Sequence, residues 1–100
     1  MTLQSITQSL TAQKAQLQSF GLRKIGVFGS TARGESSITS DIDLILDFDP
    51  AKKTYKNFIA STTFLENLFN RPIDAVTPQA LSPYIAPHIE KDVTYVQISN

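Results

Sequence analysis

The sequence predicts an α+β fold, a small mixed β-sheet with helices packed mainly on one face. Three observations carry this expectation. Apolar residues alternate with period two from Asp41 to Phe48. Two segments with apolar residues at helical spacing flank that stretch. Further short apolar runs, KIGVF, RPIDAVT and VTYVQI, are bounded by Gly, Asn, Pro or Asp.

Taken in order, Leu3, Ile6, Leu10, Leu17 and Phe20 mark a first helix, with Gly21 to cap its end. KIGVF, from Lys24 to Phe28, reads as a buried strand. Ser30 then opens a short helical turn, STARG, and a loop comes after it. In the next strand Ile42, Leu44, Leu46 and Phe48 fall on one face, and Asp41, Asp43, Ile45 and Asp47 on the other. Asp49-Pro50 signals a turn. Tyr55, Phe58, Ile59, Thr62, Leu65, Leu68 and Phe69 mark a second amphipathic helix, with Asn70 at its end. Arg71 to Thr77 forms a third strand, and Thr77-Pro78 reads as an N-cap followed by proline at the first helical position. Pro83 and Pro87 split the next stretch into two short pieces, and Val93 to Ile98 supplies a last strand.

Bulk properties narrow the function. The 100 residues suit one domain, 1–100, and a 41% hydrophobic content is enough for a core. No apolar run approaches the roughly 20 residues of a membrane span, and the N-terminus MTLQSITQSL lacks the features of a signal peptide. There is no Cys, so disulfides and thiol chemistry are excluded. A cytoplasmic location fits. Net charge is zero and the nine Lys and Arg are scattered, so there is no electrostatic track for a long nucleic acid. A small nucleotide is not disfavoured in this way.

The acidic strand is where chemistry is concentrated. Alternate strand residues are about 6.6–6.8 Å apart, so Asp41 and Asp43 point the same way and can serve one metal or a close pair. Neighbouring carboxylates repel unless a cation lies between them, and oxygen ligands select hard ions such as Mg²⁺. Gly29 between strand and turn allows close backbone approach to a ligand. Ser30 offers a hydroxyl, and Arg33 a forked cation suited to phosphate. Asp-x-Asp on a strand is also what a plain solvated face looks like, and Gly-Ser is a common turn. Gly-Ser, ten residues, then Asp-x-Asp is rarer, arising by chance in roughly one 100-residue chain per thousand. Asp74, in PIDAV, is the candidate third ligand if its strand returns beside the first two.

GSTARGESSITSDIDLILDFDP resembles the signature of the minimal nucleotidyltransferase domain of the DNA polymerase β superfamily. The resemblance extends through FLENLFNRPIDAVTP to the Pro-rich tail. It implies that Gly29 and Ser30 hold a triphosphate, that Asp41 and Asp43 bind metals, and that Asp74 joins them near the nucleophile. Many relatives are antitoxins of HEPN/MNT toxin–antitoxin pairs. Such a protein transfers AMP from ATP, with Mg²⁺ (two ions are expected), to a tyrosine of a HEPN ribonuclease toxin. Thr31 stands where many relatives carry Arg or another large residue.

The leading expectation is therefore a Mg²⁺-dependent adenylyltransferase with catalytic Asp41, Asp43 and Asp74 and a cradle of Gly29, Ser30 and Arg33. One rival is an antitoxin that only binds its toxin. Another is a transferase acting on a small molecule, for which 100 residues leave little to wall an acceptor pocket. His88 and Lys52-Lys53 read as surface residues, and Glu35 receives no catalytic role.

Overall fold

A computed structural model describes residues 2–35 and 40–99. The strands are β1 (Leu22–Phe28), β2 (Ile42–Phe48), β3 (Ile73–Val76) and β4 (Thr94–Gln97). The helices are α1 (Leu3–Ala12), α2 (Lys14–Ser19), α3 (Gly29–Ala32), α4 (Tyr55–Phe69) and α5 (Ala86–Glu90). Single 3₁₀ turns lie at Pro50–Lys52 and Pro78–Ala80. The loop expected after STARG falls, over 36–39, outside the described residues.

The sheet order is β3-β2-β1-β4. β1 pairs antiparallel with β2 and β4, and β2 pairs parallel with β3. The α+β expectation, a mixed sheet with helices mainly on one face, is therefore met. The parallel pair needs a crossover, and α4 supplies it. Thr54 caps α4 by accepting from the Asn57 amide, and Asn70 ends it in the left-handed conformation at φ 53°. Leu65 and Phe69 of α4 join Ile6 and Leu10 of α1 and Leu17 of α2 over Ile42, Leu44, Leu46 and Phe48 of β2. Burying such side chains contributes about 1.5–3 kcal/mol each, so this one layer fixes the sheet's inner face.

Several expectations are refined. The first helix is two: Gln13, at φ −106° and ψ 20°, breaks it between Leu10 and Leu17. Gly21 does follow the second piece, at φ 88°, and its amide donates to Gln18 at 2.9 Å. β1 starts earlier than expected, and its register with β2 shifts between Leu22 and Lys24. That bulge at Arg23 reverses the alternation, so Leu22 reaches the same core as Ile25 and Val27. In α4, Tyr55 and Ile59 lie outside the buried stripe and are exposed. Thr77 precedes the Pro78 turn as expected, but its side chain makes no capping bond. Among the described residues no helix is long and apolar enough to cross a membrane.

Candidate active site

The outer face of the sheet carries Asp43. Cross-strand register places Phe28 on one side of it and Asp74 on the other. The Asp43–Asp74 pair follows from packing: Ile73 and Ala75 pack against the core, so Asp74 between them must face outward. Asp43 is half-buried and Asp74 exposed. Burial pushes the Asp43 carboxyl above the ordinary carboxylate range, and the charge and hydrogen bond of Asp74 push it further, as does the charge of Asp41. The Arg33 charge offsets part of this rise. Asp41 lies just ahead of β2 and is exposed.

The predicted carboxylates are thus gathered unevenly. Asp43 and Asp74 are in contact, and Asp41 acts on Asp43 through its charge. Among the described residues no group of three His, Cys, Asp or Glu is drawn together as a ready-made metal cage. The donor set still fits a hard divalent cation. Two touching carboxylates, one raised by its neighbour, are held apart in charge only by a proton or a cation. Mg²⁺ takes only one or two carboxylates from protein and fills its shell with water and phosphate oxygens.

Gly29 opens α3 directly beside this pair. Its φ is 70°, and a Cβ there would overlap the Asp43 carboxylate oxygen and lie 3.0 Å from Asp43 Cγ. Glycine is thus required here by a carboxylate of the chain itself, a nearer reason than the approach of a ligand. Ser30 is partly exposed at the same corner. Thr31 is 1% exposed, and its Oγ1 has no hydrogen-bond partner among the described residues. The residue after the Gly-Ser pair therefore packs inward and does not line the corner. The α3 turn closes with the Arg33 amide donating to the Gly29 carbonyl at 3.2 Å.

Arg33 is placed near Asp43 but has partners of its own. Its Nε donates to Glu35 Oε2 at 3.1 Å, and its Nη1 lies 3.5 Å from Asp92 Oδ2. The sequence assigns Glu35 no catalytic role, only solvation or help in ordering the loop, and it does not single out Asp92. Asp92 lies 59 residues from Arg33, and no local pattern marks it. His88 is exposed, as expected.

A depression of about 360 Å³ lies elsewhere, lined by Arg23, Lys24, Asp47, Gln97 and Ser99. Asp47 is four residues along β2 from Asp43, about 13 Å away, so this is separate ground. Arg23 and Asp47 form an ion pair there at 3.2 Å.

A corner built from Gly-Ser against paired strand carboxylates can be compared with known folds. Residues 11–96 match the family model described as a nucleotidyltransferase domain. The chain belongs to the nucleotidyltransferase domain family. It is similar to the protein adenylyltransferase MntA of Thermococcus cleftensis, 40% identical over 96% of this chain and 97% of that protein. It is also 32% identical to a provisionally assigned protein adenylyltransferase of Methanocaldococcus jannaschii, over 95% of this chain and 98% of that one. A solved structure provisionally described as a minimal nucleotidyltransferase superposes with a TM-score of 0.67 at 27% identity, covering 88% of this chain and 93% of its own. A crystal structure of a toxin–antitoxin with AMP-PNP shares the fold, with a TM-score of 0.57 at 16% identity over 82% of this chain and 70% of that one.

Proposed function

We propose that this nucleotidyltransferase domain, 1–100, works in the cytoplasm as an antitoxin, moving AMP from ATP to a tyrosine of a HEPN-type ribonuclease toxin. The observation that carries the reading is the Asp43–Asp74 contact with the Gly29 backbone packed against Asp43. Relatives of the same length described as protein adenylyltransferases support a protein acceptor.

Asp41, Asp43 and Asp74 would hold Mg²⁺, which supplies charge stabilisation for the leaving pyrophosphate and the attacking oxygen. Gly29, Ser30 and Arg33 would receive the phosphates of ATP. Arg33 brings planar, forked donors that suit phosphate oxygens. Asp43, half-buried, serves best as a fixed ligand. Asp74 is exposed at the sheet edge, where an incoming protein hydroxyl can reach it. In the reaction the tyrosine oxygen bonds to the α-phosphorus, and the bond from that phosphorus to the β-phosphate oxygen breaks. Pyrophosphate leaves, and the phenolic proton passes to Asp74. The added phosphate carries negative charge that repels RNA at the toxin's site.

The test is the intact mass of the toxin after incubation with substoichiometric chain, ATP and Mg²⁺. A gain in multiples of AMP, lasting inactivation after the chain is removed, and loss of both in Asp41→Ala are expected. Protection only at stoichiometric ratios, without mass gain, would replace transfer by simple binding.

A further inference from the structure

The Arg33 side chain emerges from the C-terminal end of α3, and the two carboxylates that hold it come from different parts of the chain. Glu35 is two residues away, and Asp92 belongs to the turn between α5 and β4. A guanidinium has five N–H donors. One Nε donor goes to Glu35 and one Nη1 donor to Asp92. Its other three N–H groups have no partner among the described residues. Arg33 is 43% exposed, so that free edge is open to a ligand. Gly29, which opens the α3 turn that Arg33 closes, packs against the Asp43 carboxylate, and the charge of Arg33 is felt there, so the side chain lies in the neighbourhood of the carboxylate pair.

We infer that Asp92 is a positioning residue, holding the Arg33 guanidinium so that its free edge receives a phosphate of the nucleotide. The inference rests on the nucleotide reading of this site given above. A long flexible side chain gives up rotamer freedom when it grips a ligand, and one already held gives up less. Two anions beside Arg33 also lower its pull on phosphate, but both are well exposed, where water screens charge. Holding the fork in place outweighs that screened repulsion. A purely structural tie is a poor account of the same contact, because exposed pairs add little to stability.

Binding of Mg²⁺·AMP-PNP to the purified chain, followed by calorimetry, separates these accounts and needs no acceptor. Asp92→Ala should raise Kd about three- to fivefold, the most that an exposed pair supplies, with Tm almost unchanged. Asp92→Asn keeps an oxygen acceptor at the same place and should recover most of the affinity. In an Arg33→Ala background neither substitution should change Kd further. Unaltered or tighter binding by Asp92→Ala, or a loss that persists without Arg33, would overturn the positioning role while leaving the nucleotide reading intact. Failure of the unmodified chain to bind Mg²⁺·AMP-PNP would overturn both.

Discussion

Replacing Gly29 by Ala tests whether the acidic pair and the glycine turn are one packed unit. Two costs are expected. A Cβ at φ 70° carries the left-handed penalty, about 1–2 kcal/mol. It must also displace the Asp43 carboxylate, which it would overlap, and forced overpacking costs about 1–3 kcal/mol. The sum, roughly 2–5 kcal/mol, is a large part of the roughly 5–15 kcal/mol that holds a typical domain together. Gly34 is the internal control. Its φ is 74°, yet an added Cβ would meet nothing within 4 Å among the described residues. Gly34→Ala should therefore show the backbone penalty alone. Each kcal/mol lowers Tm by about 4–8 °C at this size, so the two variants are readily separated by thermal or urea unfolding. Repeating Gly29→Ala in an Asp43→Ala background should remove most of the excess, as a favourable coupling in the double-mutant cycle. Recovery stays incomplete because the approach to Asp43 Cβ, 3.2 Å, remains. Equal losses for Gly29→Ala and Gly34→Ala, or an excess that survives removal of the Asp43 carboxylate, would refute the reasoning.

Other consequences concern titration and a buried hydroxyl. Asp43 is raised by burial and then by Asp74, so the folded state keeps its proton over a range where the unfolded chain has lost it. In metal-free buffer, stability should fall as pH rises from the ordinary carboxylate range through the raised Asp43 value. Asp43→Asn lacks that slope, so urea unfolding at about pH 4 and about pH 7 should show the variant gaining on the unmodified protein at the higher pH; a constant difference would contradict it. Thr31→Val replaces a buried hydroxyl without a partner among the described residues by a methyl group of similar size and should stabilise by about 1 kcal/mol. A lower Tm would mean that the hydroxyl is satisfied after all.

Much of the fold is legible because burial writes a period into the sequence. The alternation Ile42, Leu44, Leu46, Phe48 is the inner face of β2, and it leaves Asp43 no direction but outward. α4 ends at Asn70 because Asn tolerates the left-handed turn. The features that are not legible lack a local cause. Leu10 and Leu17 are seven residues apart and stay in phase, so nothing announces the break at Gln13. The bulge at Arg23 has no residue that demands it. Gly29 is legible as a special position, but its need for glycine comes from Asp43, fourteen residues later. Asp92, the distant partner of Arg33, was missed for the same reason: it meets Arg33 only once β4 has folded beside β1.

The pairing of β3 with β2 has an implication for how the domain tolerates change. β3 is four residues long and lies at the sheet's edge. Its register is held by Ile73 and Ala75 seated on the core. A slip of one position would turn Asp74 inward and expose both apolar neighbours. A molecule that has packed this strand correctly has therefore also set its acidic pair side by side. An insertion or deletion within 73–76 would be caught at folding, before a misaligned catalyst could accumulate. Drift in acceptor or partner choice is then channelled into surfaces whose alteration leaves that strand register alone.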